Sequence, residues 1–400
     1  MARRIYFDNA ATSFPKPQQV HDEMNRYASQ IGASAGRGAY REAVETGEII
    51  RQVRSRIARM LGVSCSESII MTFNCTDGLS LAIKGLLRAA VHEAGVHEGR
   101  VPHVVTTRME HNSVLRPLHA LQRELGIEVS YVSADGQGLV DPDDIRVAIK
   151  SNTVLIALVH GSNVCGSMQD VAAVGEISQE HGITYLVDAA QTMGHVPVKA
   201  DEMHADLIAF PGHKGLLGPL GTGALYIRPG LEEKIEPLKE GGTGSKSELP
   251  EQPDFLPDRF EAGSHNALGI AGLNAGLEYV EQQGIEKFRN HELELCRVFL
   301  EKTSEISGLG VYGPGDPGKR VGVFSVNMEG LEPGELAAVL EEQFGLLTRS
   351  GLHCAPFAHQ AIGTFEQGGT VRFSFGPFIT VEDVEYACES LGRIAQLAVR

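Results

Sequence analysis

The 400-residue chain has no tryptophan, and its six cysteines (Cys65, Cys75, Cys165, Cys296, Cys354 and Cys388) lie far apart with no CxxC pair among them. Cysteines this sparse cannot build the disulfide framework of a small secreted domain, and they lack the paired spacing of a zinc site. Free thiols in a reducing compartment are expected, and no metal. Long apolar runs are also missing. Nothing approaches the roughly 18 residues needed to cross a bilayer, and the opening MARRIYFDNA runs into polar, turn-forming residues, not an apolar signal core. A cytoplasmic protein without a membrane partner is the expectation. Basic runs are absent as well: 35 Lys and Arg face 51 Asp and Glu, a formal charge of −16. Such a chain repels phosphate backbones, which excludes nucleic acid as a partner.

What is present is a balanced composition, 42% hydrophobic and 22% charged, long enough to bury a core and to divide it between two domains. From about residue 100 to 230, the β-rich runs HVVTT, VSYVS, TVLIALV, TYLVDAA and DLIAF alternate with amphipathic stretches at 113–124, 141–149 and 169–181. That alternation predicts an α/β domain with a mostly parallel sheet covered on both faces, and ligands collect at the carboxyl ends of such strands. Residues 43–61 and 77–91 read as helices that could pack on the sheet. Beyond about 262 come two long helical stretches (265–283 and 285–305), the strand-like VGVFSVNM and TVRFSF, and a last helix over 380–398. We read 15–261 as a large ligand-binding domain, and 1–14 with 262–400 as a smaller α+β domain. The Gly- and Pro-rich stretches 241–257 and 312–320 read as loops.

Three segments carry chemistry. AFPGHKGLLGPLGTGALYI sets Lys214 after a strand-like run and among glycines. An amine forms a Schiff base with an aldehyde only when partly deprotonated and well placed, which an irregular Gly-rich turn permits; alone, such a lysine reads more readily as surface charge. In TYLVDAAQTMGH, Asp188 ends a buried-type strand, where a carboxylate can pair with a protonated pyridine nitrogen or simply cap a turn. Gln191 follows three residues on, placed to donate to a phenolic oxygen or to face solvent. FNCTDGLSLAIKGLL reads as strand, small-polar turn and helix. The amides at that helix start, with the Thr76 hydroxyl, suit a phosphate or are ordinary capping.

Taken in order, YFDNAAT, MEHNSV, HGSNVCG, LVDAAQ, GHKGLLGPLGTG, RFEAGSHN, RSGLHCAP and VRFSFG resemble the class V aminotransferase-like enzymes that depend on pyridoxal 5'-phosphate (PLP). Within that class the chain is most similar to the NifS/SufS-type cysteine desulfurases, over about residues 5–396. The resemblance implies the PLP-dependent transferase fold type I and a homodimer with its sites at the subunit boundary. It makes Lys214 the Schiff-base lysine, Asp188 the pyridine-nitrogen partner and Gln191 the phenolic-oxygen donor. His111 would stack on the cofactor ring and move protons. Thr76, Asp77 and His213 would lie at the cofactor, and Thr243 would reach the phosphate of the other subunit. Asn163 and Arg372 would hold the substrate's carboxylate. An Arg in so apolar a strand needs an anionic partner in any case, either a substrate or an internal acid. Cys354, in a glycine-bearing loop beside His353, would be the nucleophile, since an imidazole neighbour can raise the thiolate population. RxGxHC followed by a short segment resembles the SufS-like type.

The implied reaction takes sulfur from L-cysteine, or selenium from selenocysteine, leaves alanine and a persulfide on Cys354, and passes the sulfur to an acceptor or iron–sulfur scaffold protein. A selenocysteine lyase or a cysteine/cystine lyase of the same family is the nearest alternative, and a PLP-holding regulatory protein without turnover is the more distant one. Two departures stand out. Pro211 occupies a position where SufS-like members commonly carry Ser or Thr, so one phosphate hydroxyl is missing. Cys75-Thr76-Asp77 replaces the common GTT or GTE, and Cys165 closely follows Asn163.

Overall fold

The computed structural model describes residues 4–36, 38–96 and 101–398. Its centre is a seven-stranded sheet in the order Ile69–Thr72, Gly223–Ile227, Leu207–Pro211, Thr184–Asp188, Thr153–Val159, His103–Thr107 and Glu128–Val132. The last five strands run parallel to one another. Gly223–Ile227 is antiparallel to both of its neighbours. The sheet is therefore mostly parallel, as the alternating pattern predicts.

Near-continuous apolar strands are what a sheet buried on both faces requires. Val104, Leu155, Leu186 and Leu207 join one buried cluster with the helices Cys75–Val96 and Asn112–Leu125. Their chain neighbours Val105, Ile156, Val187 and Ile208 join another, with helices Arg41–Leu61 and Val171–His181. Successive strand residues point to opposite faces, so one run feeds two cores. The helix Ala267–Gln283 packs on Gln18–Arg26 and Arg41–Leu61. It contributes Ile270, Leu273, Leu277 and Val280 to the second of these clusters.

The third core belongs to a four-stranded antiparallel sheet ordered Arg349–Gly351, Thr370–Ser374, Val323–Met328 and Leu309–Tyr312. Its centre is aromatic: Phe299 lies 4.4 Å from Phe324 and 5.7 Å from Phe373, centroid to centroid. The helices Ile285–Thr303, Pro333–Phe344 and Val381–Ala398 cover it. The chain's start joins this unit, since Ile5–Tyr6 pairs with Leu346–Leu347 and Asp8 bridges to Ser374. From there the segment returns to the large sheet, where Ser13 N–H and Lys16 Nζ donate to the His213 carbonyl at 3.0 and 2.8 Å. The N-terminal segment thereby ties the small unit to the Lys214 turn.

Candidate active site

The carboxyl ends of the parallel strands open into a cleft, the place where ligands collect in such sheets. Thr76, His111, Asn163, Asp188, Gln191, His213, Lys214, Cys354 and Arg372 all line it. These positions lie up to about three hundred residues apart in sequence; most follow or end a strand or start a helix there, and Arg372 comes from within the strand Thr370–Ser374 of the small sheet. Two other expected residues sit elsewhere. The Asp77 carboxylate accepts from the Phe73 N–H at 3.2 Å and lines a neighbouring pocket. Thr243, in the 241–257 loop, has its hydroxyl beside Ser245 Oγ at 3.1 Å.

Lys214 follows the strand Leu207–Pro211, in a turn where Leu217 N–H donates to its carbonyl at 2.9 Å. The next residue must be glycine, because a Cβ at Gly215 would lie 2.4 Å from the Met193 carbonyl oxygen. The lysine is half-buried in the cleft wall, and burial, reinforced by the Arg372 and Arg349 charges, lowers its ammonium pKa against the pull of Cys75 and Asp188. Desolvation thus favours the neutral, nucleophilic amine.

Asp188 ends the strand Thr184–Asp188 and is 3% exposed. Burial raises its pKa; the Ala190 N–H at 2.9 Å, the charge of Lys214 and the Cys75 thiol at 3.6 Å oppose that. A buried carboxylate calls for a positive partner. Gln191 gives one amide hydrogen to the Ala10 carbonyl at 3.0 Å, and an amide NH₂ retains a second.

His111 precedes the helix Asn112–Leu125 and caps it: Ser113 N–H donates to Nδ1 at 3.1 Å, with Ser113 Oγ at 2.8 Å. A backbone N–H can only donate, so Nδ1 accepts and the neutral ring carries its proton on Nε2. Burial, with Lys214 and Arg372 adding to it, pushes this histidine down to about 4. Thr76 Oγ1 lies 2.8 Å from Ser113 Oγ and extends the chain to the start of the helix Cys75–Val96.

The opposite wall comes from the small sheet. Arg372 in Thr370–Ser374 is 2% exposed and donates from Nη2 to Asp8 Oδ1 at 2.6 Å and from Nη1 to the Asn163 carbonyl at 3.0 Å. Directly across the strand pair stands Arg349, which also lines the cleft. Like charges opposed on antiparallel strands repel, so the pair makes this wall receptive to an anion. Cys354 is exposed at the rim. His353 beside it does not serve the thiol: its Nε2 faces the Arg349 carbonyl at 3.1 Å and its Nδ1 faces His359 at 3.3 Å. Burial pushes that ring down to about 2, so it stays uncharged.

Asp8, Cys75, Ser113 and Arg349 are participants that the sequence reading left unassigned. Arg349 stood inside RSGLHC, and Cys75 was singled out only as a departure. Asp8 and Ser113 gave no separate signal.

Among the described residues, His213 Nδ1, Asn163 Oδ1 and Arg372 Nε are buried without a hydrogen-bond partner, and all three belong to cleft-lining side chains. Of these, His213 Nδ1 and Arg372 Nε can donate and suit an anionic ligand, whereas Asn163 Oδ1 can only accept. With an amine whose charged form burial disfavours and a buried carboxylate, the donor set fits PLP: Lys214 could take its aldehyde, Asp188 its ring nitrogen and His111 its ring, and Thr76 and His213 could hold its phosphate.

A two-unit α/β fold with such a lysine at its strand ends defines a PLP-dependent enzyme of the fold-type I class. The chain belongs to the class-V aminotransferase family, whose profile matches residues 5–387. It is similar to a probable cysteine desulfurase of Methanothermobacter thermautotrophicus, 36% identical over 98% of this chain and 94% of that protein. It is equally similar to one of Pyrococcus abyssi, 36% identical over 95% and 92%. Among solved structures, the apo cysteine desulfurase of Thermococcus onnurineus NA1 superposes with a TM-score of 0.89 at 34% identity, covering 99% of this chain and 95% of that one.

Proposed function

We propose that this protein is a PLP-dependent cysteine desulfurase that converts L-cysteine to L-alanine and holds the removed sulfur as a persulfide on Cys354. The observation that carries the reading is the exposed Cys354 thiol on the same cleft as the Lys214 amine, the Asp188 carboxylate and the Arg372 guanidinium. A site for amino-acid chemistry alone needs the last three and has no use for the first. The full-length relatives named above support the same activity.

Bound PLP supplies an electron sink for charge developing at the substrate's Cα. Arg372 and Asn163 hold the substrate's carboxylate, and Arg349 adds a second positive charge. The Lys214 amine, whose charged form burial disfavours, takes the Cα proton. His111, a neutral ring, offers its Nε2–H as a hydrogen bond where negative charge accumulates. Cys354 Sγ attacks the substrate's sulfur, so an S–S bond forms as the substrate's C–S bond breaks. The electron pair returns to the carbon skeleton, which takes up a proton equivalent to the one lost from Cys354. One cysteine and one thiol give one alanine and one persulfide, with no external oxidant.

The sulfur then passes to an acceptor or iron–sulfur scaffold protein. We place the enzyme in the cytoplasm as a homodimer, with Thr243 reaching the other subunit's phosphate site. No helix among the described residues is long and apolar enough to cross a membrane. The test is to mix purified protein with L-cysteine and a reductant and to follow alanine and sulfide together. Equal release of both supports the assignment. Pyruvate in place of alanine, or turnover with selenocysteine alone, would move it to a lyase of the same family.

A further inference from the structure

The short helix Pro356–Ala361 begins two residues after Cys354 and turns His359 into the interior, where it is 0% exposed. The His359 ring stacks on that of His353, with centroids 5.4 Å apart. Three contacts run through the pair. His353 Nε2 meets the Arg349 carbonyl at 3.1 Å, His353 Nδ1 meets His359 Nε2 at 3.3 Å, and His359 Nδ1 meets Thr364 Oγ1 at 2.7 Å.

One placement of the protons satisfies these three contacts; the His359 ring also hydrogen-bonds the Leu352 backbone. A carbonyl can only accept, so His353 carries its hydrogen on Nε2, and in a neutral ring Nδ1 must then accept. His359 therefore donates from Nε2, and its own Nδ1 accepts from the Thr364 hydroxyl. The nearest charges, Arg372 and Arg349, are positive and oppose protonation of His353. Both imidazoles stay neutral, and the chain has a single direction from Thr364 to the Arg349 carbonyl.

The loop above this chain needs support. His353 and Cys354 have φ of 49° and 58°, the left-handed region that non-glycine residues hold only when their surroundings over-determine it. Main-chain contacts supply part of that support. Asn163 Nδ2 donates to the His353 carbonyl at 2.6 Å, and Asn112 N–H donates to the Cys354 carbonyl at 2.7 Å. The only side chain of the left-handed pair that is held inside is the His353 ring, and its only side-chain partner among the described residues is His359.

We propose that His359 and Thr364 are positioning residues that act through His353 to hold Cys354 in its left-handed conformation at the cleft. Neither lines the cleft itself, so they govern sulfur transfer without touching cofactor or substrate. The proposal rests on the desulfurase reading for its consequence, and on the hydrogen-bond chain for its geometry.

The test compares the holoenzyme with His359→Leu, His359→Gln and Thr364→Val. Glutamine can accept from Thr364 at Oε1 and donate from Nε2 to His353, whereas leucine can do neither. In His359→Leu, hydrogen exchange in peptides spanning 349–356 rises by about fivefold. Persulfide formation on Cys354 slows by about tenfold to a hundredfold, while cysteine affinity, read from the cofactor's absorbance, stays within about twofold. His359→Gln restores both readouts to near the parental values, and Thr364→Val moves both in the leucine direction by less. Parental exchange and transfer in His359→Leu overturn the proposal, as does a glutamine variant as impaired as the leucine one. Should His359→Leu lose its fold, a folded Thr364→Val with parental values in both readouts overturns it equally. If the parent forms no persulfide, the desulfurase reading fails, while the exchange comparison still decides whether the chain holds the loop.

Discussion

Asp8 and Arg372, 364 residues apart in the chain, form an ion pair in which Arg372 Nη2 donates to Asp8 Oδ1 at 2.6 Å. The internal acid that an arginine in an apolar strand requires is therefore present, yet the guanidinium is not fully used, because its buried Nε has no partner. Asp8 orients the group and leaves an N–H for a substrate carboxylate. Arg372→Ala is expected to raise the KM for cysteine about tenfold to a hundredfold, since a charged hydrogen bond is worth roughly 1.5–3 kcal/mol. PLP content should stay near parental. Asp8→Asn keeps an accepting oxygen at the same reach and should cost far less. Steady-state kinetics with absorbance titration of the cofactor check both, and an unchanged KM in Arg372→Ala would leave that residue a purely structural role.

Lys214→Ala should abolish the yellow colour and the borohydride-reducible attachment of PLP while the fold survives. The amine is disfavoured in its charged form by burial, so its removal relieves a desolvation penalty instead of breaking a needed ion pair. The apo variant should consequently melt no lower than apo parent, as is common when a functional group is removed from a strained site. A reducible adduct that persists in the variant would place the attachment at another lysine.

Much of this architecture could be read from the sequence. Runs such as TVLIALV announce buried strands, and AVETGEIIRQVRSRIARML announces the helix found at Arg41–Leu61, closed by Gly62 at φ 75°. The reversed direction of Gly223–Ile227 could not be read, because an apolar run of five carries no information about its orientation. The same limit applied within the site. Lys214 and Asp188 stand out because one follows a strand and the other ends one, each in a distinctive local context. Asp8 against Arg372, and His359 against His353, exist only through tertiary approach, which no spacing encodes. Proximity in sequence also misled in one respect: His353 is next to Cys354, but its left-handed backbone directs the ring into the interior and away from the thiol's service.

Glu110 provides a test in pH. Its side chain is 0% exposed, with Oε1 accepting from Thr107 Oγ1 at 2.7 Å and from Val159 N–H at 3.0 Å, and Oε2 is buried without a partner. Burial pushes this carboxyl up to about 8 from an ordinary 4.5, against the two donated hydrogen bonds. Between these values the folded chain holds a proton that the unfolded chain has released, so stability falls as pH rises from 4.5 through 8. Glutamine does not titrate and preserves both accepted hydrogen bonds. The melting temperature of Glu110→Gln relative to parent should therefore climb steadily from pH 5 to pH 8, by an amount on the order of a few kcal/mol in stability. A difference independent of pH would mean that Glu110 is ionised in the fold.

Cys354 separates a desulfurase from every other use of this cleft. Cys75, Cys165, Cys296 and Cys388 are buried and Cys65 is half-buried, which leaves Cys354 as the exposed thiol. An alkylating reagent at limiting concentration should label it first, because reactivity follows access as well as thiolate fraction. Cys165 is not a competitor for substrate sulfur: its Sγ lies 3.4 Å from Ser167 Oγ and 3.6 Å from Ser162 Oγ, and it does not line the cleft. Cys75 does line it, but its thiol is held toward Asp188 at 3.6 Å, and burial pushes its pKa well above the usual thiol range. Brief treatment with cysteine followed by mass spectrometry should thus find one added sulfur on the peptide carrying Cys354 and none on that carrying Cys75. Cys354→Ala should retain PLP and still change its absorbance on adding cysteine, since holding the substrate's carboxylate and amine uses Arg372, Asn163 and Lys214 instead of the thiol. Only sulfur release should fail, by about the two to four orders of magnitude that loss of a nucleophile removes. Alanine and sulfide formed at the parental rate by Cys354→Ala, or a persulfide found on Cys75, would instead make direct elimination, or transfer through the thiol beside Asp188, the correct chemistry of this site.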